Sequence, residues 1–178
     1  MNQFVEIMKS LDEDAIIKTT DPKVFVGCAL GFISDDGKFV EVSRGCNCNY
    51  SFNERLIGKT YRQIMFDSTD TKYRPWDKII HAEENAVYNS ISRGAEHWYN
   101  TAIVTRYPCE KCAQLLIFKG IKHVYYGRDT LISETTAKMF EEAGVEVIHV
   151  EDYKVDEVEG AEKLKKAFED HKIFIKFK

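Results

Sequence analysis

Hydrophobic residues recur at helical spacing through residues 1–18, and this pattern predicts an amphipathic helix that packs on a sheet. Asp21-Pro22 ends that helix. The next segment, 23–34, is apolar and β-branched and predicts a strand with little exposed surface. A turn at Asp35-Asp36-Gly37 leads into a second strand over 38–43, so the two strands form a β-hairpin.

A long segment with weak periodicity follows the hairpin. Residues 44–49 form the end of the hairpin, and 50–76 mixes charged, polar and aromatic residues, which predicts a long connection with a short helix near 59–66. Loops of this length in a compact domain are more often functional than idle. The connection leads directly into a second predicted helix, which begins at His81 and ends before Gly94.

Strands alternate with helices in the rest of the chain. The pattern predicts a strand over 101–107, a helix from Pro108 to Gly120, a strand over 121–127, a helix over 133–143 and a strand over 145–150. Gly120 and Gly144 stand where helix C-caps are expected. This alternation favours an α/β fold, in which helices cover both faces of a sheet.

The length and composition predict one ordinary globular domain. The chain has 178 residues, of which 44% are hydrophobic and 30% charged. We assign 1–150 to a single domain and 151–178 to a helix–strand extension packed on it or on a neighbouring subunit. The net charge of −4 disfavours binding to nucleic acid. Neither a membrane span nor a signal peptide is expected, and five cysteines indicate a reducing compartment, so we expect a cytoplasmic protein.

Two short motifs carry the chemistry of this chain. His81-Ala82-Glu83 and Pro108-Cys109-Glu110-Lys111-Cys112 together offer three zinc ligands and one carboxylate that is free of the metal. A structural zinc site uses four protein ligands, whereas a catalytic site uses three and leaves a position for water. The combination of H-x-E with P-C-x-x-C is the signature of zinc-dependent nucleobase deaminases, so it predicts one catalytic zinc ion.

Local structure supports this pairing of motifs. Pro108 suits the first position of a helix, where its missing N–H costs nothing. Cys109 and Cys112 are then three residues apart on one helix face, so both sulfur atoms can reach one metal ion. Because His81 begins another helix, we expect two helix N-termini to face each other at the site.

Each part of this pattern also has a simpler interpretation. A lone Cys-x-x-Cys could be a redox pair or half of a zinc ribbon, and a lone His81 is more often an ordinary helix residue. A ribbon needs a second Cys-x-x-Cys, and Cys46-Asn47-Cys48 has the wrong spacing. A redox pair needs neither the preceding proline nor the upstream His-x-Glu. The motifs in combination therefore favour a catalytic zinc site.

From about Asp21 to Val150 the chain resembles the zinc-dependent cytidine and deoxycytidylate deaminase superfamily, and within it the deoxycytidylate deaminases. The matching segments are Asp21-Pro22 ahead of Val26-Gly27, Gly45-Cys46-Asn47, Thr71-Lys72-Tyr73, His81-Ala82-Glu83-Glu84-Asn85-Ala86, Pro108-Cys109-Glu110-Lys111-Cys112-Ala113, Gly120-Ile121-Lys122 and Phe140-Glu141-Glu142-Ala143-Gly144-Val145. The zinc motifs are diagnostic of the superfamily, and the other segments favour the deoxycytidylate group.

The resemblance implies a three-layer α/β/α fold with a mixed five-stranded sheet. It also implies hydrolytic deamination of dCMP to dUMP and ammonia, which would supply dUMP for thymidylate synthesis. His81, Cys109 and Cys112 would bind Zn²⁺, and Glu83 would move protons between water and the base.

The resemblance further implies substrate contacts, an assembly and effectors. Asn47 would contact the sugar, the backbone near Ala82 would recognise the pyrimidine edge, and Tyr107 would pack near the ring. Tyr107 is equally well explained as a core aromatic at a strand end. Relatives in the family are often hexamers that dCTP and dTTP regulate, so we expect a homo-oligomer with possible effector binding.

The segment 45–50 departs from the family, which usually has Gly-Tyr-Asn-Gly there, often followed by Pro-Arg-Gly. Cys46 and Cys48 suggest the second zinc of some relatives, but no third cysteine or histidine lies between Cys48 and His81, so free thiols are favoured. Three alternatives stay open: a deaminase of another nucleoside, nucleotide or free base; a deaminase of a base in tRNA or single-stranded nucleic acid; and a non-catalytic zinc-stabilised interaction module.

Overall fold

The computed structural model describes residues 2–18, 25–49, 79–128 and 132–154. The helices are α1 (Gln3–Lys18), α2 (Ala82–Ser92), α3 (Glu110–Phe118) and α4 (Glu134–Glu142). The strands are β1 (Gly27–Ile33), β2 (Phe39–Cys46), β3 (Cys48–Asn49), β4 (Ile79–Ile80), β5 (Thr101–Arg106), β6 (His123–Arg128) and β7 (Glu146–His149). None of the helices in this part of the chain has the length and apolar character needed to cross a bilayer.

Five strands form one mixed sheet in the order β2-β1-β5-β6-β7. β1 is antiparallel to both β2 and β5, whereas β5, β6 and β7 run parallel to one another. The predicted hairpin is therefore confirmed, as is the mixed five-stranded sheet. β3 follows the hairpin, β4 comes just before α2, and the two strands pair to form a separate two-stranded ribbon.

Helices cover both faces of the sheet. Successive residues of a strand point to opposite faces, and in β1 Leu30 joins the core formed with α2, α3 and α4, whereas Ala29 joins the core formed with α1. In β5, Val104 joins the core formed with α2, α3 and α4, and Ile103 joins the core formed with α1. The predicted three-layer α/β/α fold is thus confirmed, with α1 alone on one face among the described helices.

Some of the predicted boundaries are wrong. The second strand was expected over 38–43, but β2 continues through Cys46 because its ladder with β1 extends to the pair Gly27–Cys46, and the β3–β4 ribbon was not predicted. Pro108 was expected at the first helical position, but α3 begins at Glu110 and Cys109 is its N-cap. The predicted helix near 59–66, and the helix and edge strand expected after residue 154, lie outside the described residues.

A buried ion pair ties α1 to the ends of the central strands. Arg128 Nη2 lies 3.0 Å from Asp12 Oδ1 and donates to the carbonyl oxygen of Phe25 at 2.8 Å, and its Nε donates to the carbonyl oxygen of Thr105 at 2.9 Å. The Tyr153 hydroxyl also donates to Asp12. Burial raises the pKa of Asp12 to about 6, although the positive charge of Arg128 opposes the rise.

Gly45 allows α2 to approach β2 closely. A Cβ atom at position 45 would lie 2.4 Å from the backbone nitrogen of Ala86, nearer than two such atoms can pack. Around this contact Ser43 Oγ donates to the carbonyl oxygen of Ala86 at 2.9 Å, and Asn85 Nδ2 donates to the carbonyl oxygen of Cys46 at 2.8 Å. The end of β2 therefore holds the first turns of α2, which follow His81.

We expect Gly45→Ala to lower the free energy of unfolding by roughly 1–3 kcal/mol, because backbone atoms of α2 must move to accept the methyl group. Urea unfolding followed by circular dichroism measures this change. Val40→Thr, which alters an exposed side chain of the same strand, is the matched control and should change stability by less than about 0.5 kcal/mol. Equal stability of Gly45→Ala and the native chain would contradict the close packing.

Candidate metal centre

Two helix N-termini meet at the metal centre. His81 is the N-cap of α2 and follows β4 directly. Cys109 is the N-cap of α3, and Cys112 lies in its first turn. The unpaired N–H groups at a helix start carry partial positive charge, which favours thiolate sulfur there. The structure therefore brings together the three residues that the sequence motifs single out as ligands.

The distances among these side chains suit a single zinc ion. His81 Nδ1 lies 3.5 Å from Cys109 Sγ and 3.3 Å from Cys112 Sγ, and all three atoms lie within 4.8 Å of one another. Tetrahedral zinc with bonds of about 2.3 Å to sulfur and about 2.0–2.1 Å to nitrogen separates such atoms by about 3.6 Å. One imidazole and two thiolates are typical zinc donors, so the residues fit the ion.

No fourth ligand joins this group among the described residues, because the set of metal-ligating side chains there consists of His81, Cys109 and Cys112. A structural zinc would use four protein ligands, whereas three leave a coordination position for a small molecule. Three ligands are the number that catalytic zinc centres use.

The pKa values of the two cysteine thiols are shifted in opposite directions. Hydrogen bonds from Cys112 and then His81 lower the pKa of Cys109 to about 4, in opposition to burial. The Cys109 sulfur and burial both raise the pKa of Cys112 well above its usual range. Two thiolates this close together repel each other, and the positive charge of a bound metal ion would favour the deprotonated form of both.

Glu83 lies beside the ligands without joining their group. It is the second residue of α2 and only 4% exposed. Burial raises its pKa above the usual value, although its own backbone N–H, Cys112 and His81 work in the opposite direction. A carboxyl group whose pKa is moved towards neutrality is suited to taking up and releasing protons.

Glu84 and Lys111 connect the two helices at the site. The His81 backbone N–H donates to Glu84 Oε2 at 2.9 Å, and Lys111 Nζ lies 2.8 Å from Glu84 Oε1. Burial works to raise the pKa of Glu84, but the bonds from Lys111 and His81 lower it overall. Sequence reasoning missed both residues, although a Glu three positions after a helix N-cap is a recognised capping pattern that points to Glu84.

Asn47 directly precedes the β3–β4 ribbon in the chain, and His81 directly follows it. Within that ribbon Cys48 pairs with Ile80. Asn47 is 4% exposed, and its Oδ1 accepts a hydrogen bond from the Val26 backbone N–H at 2.9 Å. Its proposed contact with the sugar stays a prediction, and the structure adds a second role in holding the start of β1.

The other two expected substrate contacts have different surroundings. Ala82 is buried, and its carbonyl oxygen lies near Gly45. The Tyr107 ring packs edge-on against Tyr126, with a centroid distance of 4.8 Å, and lies 6.5 Å from the Phe140 ring. These contacts belong to a core aromatic at a strand end. The roles of Ala82 and Tyr107 towards a substrate stay predictions.

Arg44, a cation at the end of β2, is engaged by acidic groups. Its guanidinium pairs with Glu41 at 2.6 Å and with Asp14 at 2.5 Å. A phosphate group would have to displace these carboxylates to bind Arg44, so this residue is a poor candidate for a phosphate contact.

The sequence model of the cytidine and deoxycytidylate deaminase zinc-binding region matches residues 1–128. This match covers more than half of the chain, so the chain belongs to that family of zinc-binding deaminase domains. The resemblance inferred from the motifs is confirmed, and zinc is the cofactor that the family and the His–Cys–Cys group both indicate.

One curated relative is the probable deoxycytidylate deaminase of Caenorhabditis elegans, which is 31% identical over 129 residues. The match covers 71% of this chain and 59% of that protein, so this chain spans less than two thirds of the relative's length.

Two solved structures share the fold. dCMP deaminase from the cyanophage S-TIM5, in complex with dCMP and dUMP, gives a TM-score of 0.54 at 18% identity and covers 82% of this chain and 94% of its own. Aspergillus oryzae Rib2 deaminase, in complex with DARIPP, gives a TM-score of 0.56 at 17% identity and covers 96% and 100%. Because the two structures hold different bound molecules, the fold by itself does not select a substrate.

We expect the purified chain to retain one equivalent of zinc after dialysis and Cys109→Ala to lose it, because two remaining ligands hold the ion weakly. Elemental analysis by mass spectrometry measures the metal content. Cys48→Ala is the matched control, since Cys48 is a free cysteine outside the ligand group. Full zinc content in Cys109→Ala would remove Cys109 from the ligand set.

Proposed function

We propose that this protein is a zinc-dependent hydrolase that deaminates dCMP to dUMP and ammonia and so supplies dUMP for thymidylate synthesis. One observation carries the proposal: three ligands from two helix N-termini surround a position next to Glu83, which is buried and outside the ligand group. An interaction module stabilised by zinc has no use for a buried carboxyl group beside a three-ligand centre.

His81, Cys109 and Cys112 would hold the ion, and Glu83 would move the protons. When bound, zinc supplies a Lewis acid that makes water a nucleophile at neutral pH. Glu83 would take a proton from the attacking water as the water oxygen bonds to C4 of the cytosine, and would give that proton to N3. Glu83 would then assist transfer of the second water proton to the amino group, so that the C4–N bond breaks and ammonia leaves. Each step needs a carboxyl group that changes protonation state within one turnover, which agrees with the raised pKa of Glu83.

The family and the charge of the chain support a free nucleotide as substrate. The name of the matching family contains cytidine and deoxycytidylate as substrates, and the Caenorhabditis elegans relative is named a probable deoxycytidylate deaminase. A deaminase of a base in tRNA or single-stranded DNA needs a positive track for phosphate groups. The net charge of −4 argues against such a track.

The organisation of the whole protein is part of the same proposal. Residues 1–150 would act as one deaminase domain, which agrees with a sheet whose strands run from β1 to β7. Residues 151–178 would extend that domain or contact another subunit. A homo-oligomer regulated by dCTP and dTTP is expected from the resemblance. Five free cysteines favour the reducing cytoplasm as the site of action.

The direct test is product formation from dCMP, CMP, deoxycytidine and a short oligonucleotide that contains cytosine. Each substrate is assayed with and without dCTP, and products are separated by liquid chromatography. We expect turnover of dCMP alone. Turnover of the oligonucleotide alone would favour a nucleic-acid deaminase, and no turnover by the zinc-loaded protein would favour the interaction module.

Glu83→Ala should lower kcat for dCMP by about 10²–10⁴-fold while the zinc content stays unchanged, because the proton-transfer group is lost and the ligands remain. Steady-state kinetics and elemental analysis give the two readouts. Glu142→Gln, which changes an exposed carboxylate of α4, is the control. Native kcat in a zinc-loaded Glu83→Ala protein would contradict the role of Glu83 as proton shuttle.

Two variants of Asn47 separate its two roles. Asn47→Ala leaves the Val26 N–H without its acceptor and should lower the free energy of unfolding by about 1–3 kcal/mol. Asn47→Asp keeps an acceptor oxygen and loses the amide donor, so we expect a raised KM for dCMP with a smaller loss of stability. The native KM in Asn47→Asp would count against a sugar contact.

A further inference from the structure

The three metal ligands come from helices that are separated along the chain, so their spacing depends on how those helices are held together. His81 precedes α2, whereas Cys109 and Cys112 belong to the start of α3. A metal site tolerates ligand distances that differ by about 0.2 Å from ideal values. A small displacement of one helix N-terminus against the other would therefore weaken metal binding.

Glu84 uses both of its carboxylate oxygens at this junction. Oε2 accepts the backbone N–H of His81 at 2.9 Å, and Oε1 lies 2.8 Å from Nζ of Lys111. Lys111 is placed between Cys109 and Cys112 in the first turn of α3. A single side chain thus contacts the backbone of one ligand residue and a neighbour of the two others.

The exposure of the two side chains suggests a positional role. The Glu84 side chain is 11% exposed, whereas that of Lys111 is 69% exposed. A pair with one exposed partner contributes little to overall stability. The carboxylate of Glu84 is nearly buried, however, and its two contacts join the backbone of His81 to the first turn of α3.

We propose that Glu84 and Lys111 are positioning residues that set the distance between His81 and the two cysteines and so raise the affinity for zinc. The inference rests on the proposed zinc site and goes beyond it, because neither residue is a ligand or a proton carrier. Removal of groups that orient metal ligands typically lowers metal affinity 10–100-fold, and we expect a loss of about 10-fold or more here.

The alternative is that Glu84 only caps α2 and that Lys111 is an ordinary surface lysine. Capping requires the contact with the His81 N–H and does not involve Lys111. Lys111→Met and Glu84→Gln separate the two cases. Glu84→Gln keeps an oxygen that can accept from His81, and both variants remove the ion pair between α2 and α3.

The experiment measures zinc affinity by competition with a chromophoric chelator. Lys111→Met and Glu84→Gln should each bind zinc about 10-fold more weakly or worse. The double variant should bind no more weakly than either single variant, because the pair is already lost in each. Lys111→Arg should restore native affinity. Lys138→Met removes a similar exposed lysine from an ion pair within α4 and should leave affinity unchanged.

Native zinc affinity in Lys111→Met would overturn the inference, as would additive losses in the double variant. Failure of the native chain itself to bind zinc would instead overturn the proposed function together with this inference. Circular dichroism of the metal-free proteins checks folding. Because Lys111 is exposed, the Lys111 variants keep the test decisive even if Glu84→Gln fails to fold.

Discussion

The metal centre depends on the close contact between α2 and the end of β2. Gly45 lets the backbone of α2 approach the strand, and Ser43 and Asn85 hold it there through hydrogen bonds. The start of α2 is thereby placed at the same edge of the sheet to which β5 delivers Cys109. A larger residue at position 45 would separate the helix from the strand and move His81 away from the cysteines.

Two buried carboxyl groups in the described part of the chain have raised pKa values, and their surroundings differ in kind. Asp12 faces the guanidinium of Arg128, which also bonds to the ends of neighbouring strands, so this pair joins α1 to the sheet. Glu83 belongs to α2, which packs on the opposite face of the sheet from α1, and its carboxyl group interacts with Cys112 and His81. A carboxyl group paired with arginine keeps its charge for structure, whereas one beside metal ligands can exchange a proton.

Most of the fold could be predicted from sequence because local patterns determine local structure. Strand and helix periodicity located the described helices and the strands of the five-stranded sheet, although not β3 and β4. Gly144 follows α4 with a positive φ of 66°, as a C-cap glycine should. The errors occurred where tertiary hydrogen bonds decide the boundary. β2 continues to Cys46 because it pairs with β1 up to that residue. The local sequence Arg44-Gly45-Cys46 contains no signal that predicts this pairing.

The sequence by itself determined the family and the candidate zinc ligands His81, Cys109 and Cys112, because the two motifs specify the ligand types and their short-range spacing. Only the tertiary structure decided that Cys48 pairs with Ile80, that Arg128 bonds to Asp12, and that Lys111 reaches Glu84. These contacts join residues from 27 to 116 positions apart. Hydrophobic periodicity and helix signals act over a few residues, so the packing of helices on the sheet is what creates such pairs.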